Sequence, residues 1–452
     1  MHMPPRPCPA PILACRPGEL ARALWRRLAP ERWPLPPAEL PPGTALVGGA
    51  VRDALLERLA ERPDLDLVLA TAVQPFARRL ARRLGGSAVV LDAERDIVRL
   101  VLKGWTIDLA RLQGESLPAD LARRDYRVNA IALVLPTQPG AEPTLVDPQA
   151  GLADLQTGVL TAIAEANLLD DPLRLLRGLR LAAELDFQLE GRTQAWLAQH
   201  HHRLATVAPE RVLAELERLA AAPAGHLGLA QIARQGWLQP WGAEPPGAAD
   251  RLAALSLECA AAAGLSPEET ALALPLARLA ALASGGVLAR LHASRRLQQR
   301  SRQLEQAWQW CAPLQPAVDP ALLAERERLA LHRALAEDLP ALLLQLEPAV
   351  AAPLLQRWRD PDDPLCHPRS PLDGQALQRA LSLAPGPQLG QLLEHLMAER
   401  AFGRLPAREV EPCSQALAAA RRWLEVASTP AATAGPVPLI AAVPDPGCSR
   451  QA

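Results

Sequence analysis

The sequence predicts an α+β protein: a mixed α/β head near the N-terminus, then an all-helical neck, body and tail. Three observations carry that reading. Short apolar runs at 45–47, 65–69, 87–91, 96–102, 105–109 and 127–135 read as strands. Helical spacing at 51–59 and 73–85 lies between the first three of them. From Asn167 onward only helical spacing remains, at 173–185, 193–199, 209–222 and 227–236, continuing as Ala/Leu/Arg helices punctuated by proline to about 425. Composition agrees: hydrophobic residues make up 49% and aromatics only 3%, so the core is built from Leu, Ala and Val, a set that favours helices.

The chain of 452 residues divides accordingly. Residues 1–43 form a proline-rich extension with one short helical pattern at 17–28 and little fold of its own. The head runs over 44–165, a helical neck over 166–225 and the body and tail over 226–428. Residues 429–452, rich in Pro, Ala and Gly, read as disordered. The formal charge is −1, so an anionic polymer would be held by local patches and not by a global field. Lys103 is the single lysine, which makes the many arginines a matter of composition as much as of function. Seven scattered cysteines without a Cys-x-x-Cys suggest neither a disulfide framework nor a zinc site and fit a reducing cytoplasm. The N-terminus is too proline-rich for a signal peptide, and the most apolar later stretch, 339–358, is broken by Pro348 and Pro353, so no membrane span is expected.

The stretch 45–69 carries the chemistry. A short apolar run ends at Gly48-Gly49, a helical pattern with Arg52-Asp53 follows, Pro63 breaks it, and a second run opens with Asp64-Leu65-Asp66. Residues two apart on a strand share a face, so Asp64 and Asp66 can share a site. Two crowded carboxylates repel unless a cation lies between them, and the natural one is hard and oxygen-binding, Mg²⁺ or Mn²⁺. A glycine turn lets the backbone approach a polyphosphate closely, and the helix start behind it favours an anion. Either half is weak alone; together they are specific.

The combination resembles the class II tRNA nucleotidyltransferase and bacterial poly(A) polymerase family, within the DNA polymerase beta-like superfamily. Its first motif is Gly-Gly-x-Val-Arg-Asp followed by Asp-x-Asp, here Gly48 to Asp53 and Asp64 to Asp66. The resemblance makes Asp64 and Asp66 metal-holding catalytic residues. It places the family's third acidic residue on Asp108, in the strand that ends at Arg111. The string Arg123-Arg124-Asp125-Tyr126-Arg127-Val128-Asn129 is similar to the second motif, which implies that Arg123, Arg124, Asp125 and Asn129 lie near the triphosphate and sugar, with Gly48, Gly49 and Arg52. Asp147-Pro148 to Asp154 continues the match as a structural turn.

The last matching segment runs from Asn167 to Phe187. Asp170 reads as an N-cap, with Pro172 in the first turn and arginines at 174, 177 and 180 in adjoining sectors of one helix. In isolation, Asp171 and Arg174 read as an intrahelical ion pair on the surface. The family instead uses an acidic residue and an arginine at this spacing to read the incoming base, with Arg177 and Arg180 in the nucleotide site. Adenine and cytosine both offer an amino donor beside a ring-nitrogen acceptor, which a carboxylate and a guanidinium complement. Where the family has Glu-Asp before the arginine, this chain has Asp170-Asp171.

The resemblance implies a cytoplasmic enzyme that builds the 3′ CCA end of tRNA from CTP, possibly also ATP, with Mg²⁺ or Mn²⁺. Between Arg111 and Asp120 the chain is short where full CCA-adding members and poly(A) polymerases carry a longer loop, which leans the reading toward addition of the two cytidines. A poly(A) polymerase is the alternative enzyme. A noncatalytic RNA binder on the same fold would have no need for Asp64, Asp66 and Asp108, and a small-molecule nucleotidyltransferase would have none for the long helical region.

Overall fold

The computed structural model describes residues 16–138, 140–243, 245–311, 319–406 and 413–428. The expectations for 1–15 and for the tail 429–452 lie outside them. Two compact units are present: residues 1–312 with 340–352, and residues 313–339 with 353–452.

The head is built on a seven-stranded sheet of β1 (Ala45–Val47), β2 (Leu65–Leu69), β3 (Ser87–Asp92), β4 (Ile97–Leu102), β5 (Trp105–Arg111), β6 (Ala132–Val134) and β7 (Thr144–Val146), in the order β3-β4-β5-β2-β1-β6-β7. Only the β2–β5 pair is parallel. Period-two alternation divides the faces. Leu65, Leu67 and Leu69 point to one side, with Leu100, Ile107 and Leu109, all buried. The amphipathic helix α3 (Val73–Leu84) covers that side with Val73, Phe76, Ala77 and Leu80. The opposite face carries Ala45, Val47, Val68 and Ala132, packed with Leu121 and Ala130. Asp66 shares that second face, because it pairs in register with Val47. Helix α2 (Gly49–Leu55) follows β1 directly.

Two expectations change here. Residues 127–135 do not form one strand: Arg127–Asn129 is a 3₁₀ turn and only Ala132–Val134 joins the sheet. Residues 16–43 are not an extension with little fold. Helix α1 (Pro17–Arg27) packs on α2 and β7, burying Leu20, Ala21 and Leu24, and Trp33, Leu35 and Leu40 are buried beyond it. Arg27 ties the helix to the head through the Ala54 carbonyl at 2.6 Å and Glu57 at 2.8 Å. The prolines start the helix and its 3₁₀ turns without preventing burial.

After α4 (Leu117–Leu121), α5 (Gly151–Thr157), β8 (Val159–Leu160) and α6 (Glu165–Asp170), the neck helix α7 (Leu173–Leu185) enters, followed by β9 (Gln188–Leu189) and α8 (Gly191–His200). The turn at Asp147 is structural, as the sequence suggests: its carboxylate accepts from the Gly151 and Leu152 N–H groups, and Asp154 accepts from Thr161 N–H. Tyr126, fully buried, donates its hydroxyl to the Arg174 carbonyl at 2.8 Å and lies against Gly178. A Cβ at Gly178 would come within 2.0 Å of that hydroxyl, so glycine lets head and neck helix interlock. Helices α9 (Pro209–Ala221) and α10 (Gly225–Gln235) pack on α7; α11 (Ala248–Ala254), α12 (Leu257–Ala262), α13 (Pro267–Leu282), α14 (Gly285–Arg290) and α15 (Arg295–Cys311) continue the same unit.

The second unit has its own core. Leu377 of α19 (Gly374–Leu381), Leu392 and Leu396 of α20 (Pro387–Ala401), and Ala416, Ala419 and Ala420 of α21 (Cys413–Ser428) are buried together. Helix α16 (Glu325–Leu335) precedes them, while α17 (Leu339–Leu343) and α18 (Pro348–Arg359) are divided between the units. The boundary thus falls inside the stretch 226–428 that the sequence reads as one body and tail. Among the described residues no helix is long and apolar enough to cross a membrane.

Candidate nucleotidyl-transfer site

A cavity of about 570 Å³ lies in the first unit, lined by the Gly48-Gly49 turn, Asp64 and Asp66, the second-motif residues Arg124, Asp125 and Asn129, and the neck residues Asp171, Arg174, Arg177, Arg180 and Arg218. Residues far apart in sequence meet because α7 docks on the head through Tyr126. A second cavity of about 460 Å³ lies along the same sheet face, lined by Val68, Ile97 and Ala110, by five arginines including Arg123, Arg124 and Arg174, and by Asp120, Asp170 and Asp171.

Gly48 has φ +75°, a conformation costly for any other residue. It also leaves room: a Cβ there would lie 3.0 Å from Asp66 Oδ2, so the carboxylate packs directly over the turn. Among the described residues no hydrogen bond or ion pair engages the carboxylates of Asp64 or Asp66. Burial pushes the Asp66 carboxyl up to about 6; Arg124 pulls it down, Asp108 and Asp64 push it up, and Arg177 pulls it down weakly.

Asp108 pairs in register with Asp66 across the parallel β2–β5 ladder, which places it on the same face. It does not line the cavity. Both its oxygens accept from Arg99 of β4, at 2.8 Å each. Among the described residues no group of three or more His, Cys, Asp or Glu side chains is gathered as it stands to hold a metal ion. The donor set nevertheless fits one: unengaged oxygens on Asp64 and Asp66, a third carboxylate one strand away, and only oxygen ligands, as a hard divalent cation requires.

The second-motif residues form a network. Asp125 is buried and accepts from the Tyr126 N–H at 2.8 Å and the Asn129 amide at 3.2 Å, with Arg177 Nε 3.1 Å away. Burial alone would raise the Asp125 pKa, but Arg177, Asn129 and Tyr126 together hold it below the usual carboxylate value. Asn129 accepts in turn from Arg52 Nη1, and Asp53 accepts from Arg52 Nε and Nη2 at 2.9 and 3.0 Å. Arg52 and Asn129 therefore brace the glycine turn, with all three guanidinium nitrogens of Arg52 engaged. Arg180 is likewise engaged, by Glu215 at 2.6 Å and Glu184 at 2.7 Å.

Arg124 and Arg177 differ. Their Nε atoms are buried without a hydrogen bond, since the Arg177–Asp125 contact is an ion pair with poor hydrogen-bond direction. Unpaired buried guanidinium donors beside a cavity suit a phosphate-bearing ligand. Arg123 faces the second cavity.

Asp171 and Arg174 both line the cavity without pairing to each other. Asp171 Oδ2 accepts from Arg211 of α9 at 2.8 Å, while Arg174 donates to the Asn167 and Arg123 carbonyls at 2.7 and 3.1 Å. The intrahelical pair expected from the spacing alone is absent. The expected N-cap is also corrected: Asp170 is the last residue of α6, Asp171 is its C-cap in an extended conformation, and Pro172 caps α7. That break turns Asp171 off the helix line, where Arg211 can reach it.

Residues 44–161 match the model of the poly A polymerase head domain, and residues 186–241 match that of the probable RNA and SrmB-binding site of polymerase A. These two stretches thus match models of the poly(A) polymerase family, the same family that the sequence motifs resemble. Members of this family generally depend on a divalent metal. The chain is 46% identical over 204 residues to the CC-adding tRNA nucleotidyltransferase of Synechocystis sp., covering 45% of this chain and 48% of that one. It is 38% identical over 218 residues to the A-adding tRNA nucleotidyltransferase of Deinococcus radiodurans, 46% of each chain. The chain thus spans about half the length of the curated relatives it matches. Among solved structures, a CCA-adding enzyme in an apo form superposes with TM-score 0.62 over 91% of this chain and 96% of that one at 20% identity. The Thermotoga maritima CCA-adding enzyme complexed with tRNA gives 0.60 over 83% and 91% at 22% identity. At these identities the likeness speaks for the fold.

The family sequence pattern marks most of the site but not Arg99, Arg211 or Arg218. Arg211 and Arg218 are seven apart on α9, two helical turns, so one face of that helix serves the site. Nothing in the sequence says which face meets α7.

Proposed function

We propose that this chain transfers cytidylyl groups from CTP to the 3′ end of a tRNA, with release of pyrophosphate, as a cytoplasmic enzyme. One observation carries the reading: a single cavity brings the glycine turn and the Asp64/Asp66 carboxylates together with Arg124, Arg177 and the Asp171/Arg174 pair. In this reading Gly48 and Gly49 receive the triphosphate, and the guanidinium groups of Arg124 and Arg177 in the cavity wall bind its oxygens. Asp171 accepts from the cytosine amino group and Arg174 donates to its ring nitrogen. Asp64, Asp66 and Asp108 would hold Mg²⁺ or Mn²⁺, which supplies charge stabilisation at the transferring phosphorus. The acceptor 3′-hydroxyl oxygen attacks the α-phosphorus, the bond to the pyrophosphate oxygen breaks, and Asp108 helps take the hydroxyl proton. The second cavity, where five arginines outnumber three aspartates, offers room for the acceptor end on the same face.

Addition of C rather than A is favoured by two facts. Four of the curated relatives carry the name CC-adding, three at 42–46% identity and one at 33%. The connection from β5 to α4 is only residues 112–116, tightly turned, with Ser116 capping α4. The test is incubation with tRNA lacking its last three nucleotides and each labelled triphosphate in turn. Two CMP additions and no AMP on a CC-ending tRNA are expected. Efficient AMP transfer to that substrate would refute the CC reading, and no transfer from any triphosphate would refute the activity.

A further inference from the structure

Arg99 stands where no motif marks it. Its partner strand β5 aligns Arg99 opposite Asp108, and β2 aligns Asp66 with Asp108, so Arg99, Asp108 and Asp66 form one row across three adjacent strands on one face. The guanidinium holds Asp108 with its fork, Nε to Oδ1 and Nη2 to Oδ2. The hydrogen-bonded Asp108 raises the Arg99 pKa above its ordinary value against a lesser effect of burial, and Asp64 and Asp66 add to that rise. One fixed positive charge therefore feels all three carboxylates.

A carboxylate whose two oxygens each accept from a guanidinium shares its charge with that cation, so it is a poorer ligand for a metal ion shared with Asp66 than a free carboxylate would be. We infer that Arg99 is a counter-ion latch: it occupies Asp108 while the site is empty and gives it up when a divalent cation enters. Arg99 has room to leave, its side chain being 45% exposed while Asp108 is 25% exposed. The latch keeps the acidic row from standing uncompensated before the metal arrives. It also makes the third ligand conditional on displacing a cation. Arg99 is a positioning residue here, acting through Asp108.

This rests on the reading of Asp108 as a metal carboxylate, and the experiment separates the two. Mn²⁺ binding to the full chain, without nucleotide, is measured by titration calorimetry for the parent, Arg99→Gln, Asp108→Asn and the double variant, with metal-free melting curves as the fold check. Arg99→Gln is expected to tighten Mn²⁺ by about three- to tenfold, since a competing charge-assisted pair is removed. Asp108→Asn should weaken it, and Arg99→Gln in the Asp108→Asn background should change little. Arg99→Lys, which keeps the charge and loses the fork, should fall between parent and Arg99→Gln, and it carries the test if Arg99→Gln melts early. Unchanged or weaker binding in Arg99→Gln, with Asp108→Asn weakened, overturns the latch alone. Equal tightening with and without Asp108 also overturns it, leaving only long-range repulsion. Unchanged binding in Asp108→Asn overturns the metal role of Asp108, and the latch with it.

Discussion

Arg278 in the helical body is fully buried, and the pair Arg124 and Arg177 in the site cavity are half-buried arginines of the same compact unit. Arg278 donates to the carbonyls of Leu255, Ala220, Ala222 and Pro223 at 2.7–3.2 Å. Two of these acceptors lie at the C-terminal end of α9, where helix carbonyls lack partners and the dipole favours a cation. Burial pushes its pKa down to about 10, low for arginine yet far above neutrality. Arg124 and Arg177 are close to carboxylates but keep a buried donor without a hydrogen bond. A satisfied buried cation ties helices together; an unsatisfied one beside a cavity is kept for a ligand. The two groups should therefore respond oppositely to truncation.

The largest effect is expected at the carboxylates that share the cavity. Asp66→Ala should lower transfer from CTP by roughly a thousandfold or more, corresponding to several kcal/mol of lost transition-state stabilisation. The fold should hold, because Asp66 makes no hydrogen bond that ties the head. Single-turnover rates alongside melting curves check both halves; a near-parental rate would remove Asp66 from the chemistry.

Arg278→Met should show the reverse pattern. Four carbonyls lose a donor, offset in part by the removed cost of burying a guanidinium, so unfolding should become easier by about 2–4 kcal/mol. Activity per folded molecule should stay near the parent's. Urea denaturation and active-site titration measure the two. Arg124→Met should instead leave the urea midpoint near the parent's and weaken CTP binding by roughly ten- to a hundredfold. If both variants lose stability equally, the distinction between tying and ligand-binding arginines fails.

Base choice sharpens the same comparison. Asp171 is held by Arg211, and Arg174 by two carbonyls, so each has a partner without being paired to the other. Asp171→Ala should lower the ratio of CTP to UTP catalytic efficiency by roughly five- to a hundredfold, from about 1–3 kcal/mol per buried group left unpaired. The ratio is read from steady-state kinetics with each triphosphate. An unchanged ratio would return Asp171 to the role of an ion-pair partner of Arg211.

Much of this was legible in the residues. The strand–Gly-Gly–helix–Asp-x-Asp order placed β1, α2 and β2, and alternation put Asp66 on its face. Arginines every third residue marked α7. What was hidden was nonlocal. Strand register brought Arg99 to Asp108, and the packing of α9 on α7 brought Arg211 to Asp171; neither is encoded in local spacing. Strand β7 has three residues, too few for a visible alternation. The extension at 16–43 was concealed by its prolines, which look like breakers but stand at helix starts. Asp170 was misplaced because Asp-Asp-Pro suits an N-cap as well as the junction between two helices.

His332 tests whether an unsatisfied buried group always signals a ligand. It is buried in the second unit, and neither ring nitrogen has a hydrogen bond. Burial pushes its pKa down to about 4; Arg357 adds to that, Asp363 opposes it, and Arg328 and His367 add weakly. No cavity of the site reaches it, so its cost falls on stability. Above the ordinary histidine pKa of about 6.5, both folded and unfolded chains carry it neutral and pH has no effect through this group. Below that value the unfolded chain binds a proton that the folded chain refuses, so stability falls as pH drops from about 6.5 toward 4. Below the folded value the loss levels off. One pKa unit corresponds to about 1.4 kcal/mol, so the full window amounts to about 3–4 kcal/mol. His332→Leu, of similar bulk and without a titrating group, should flatten this part of the pH dependence. Urea midpoints of the full chain at pH 7.5, 6 and 5 would show it as a parent midpoint that falls more steeply with falling pH than the variant's. Parallel pH profiles would mean that the folded chain protonates His332 readily, and that its unpaired nitrogens are open to a partner after all.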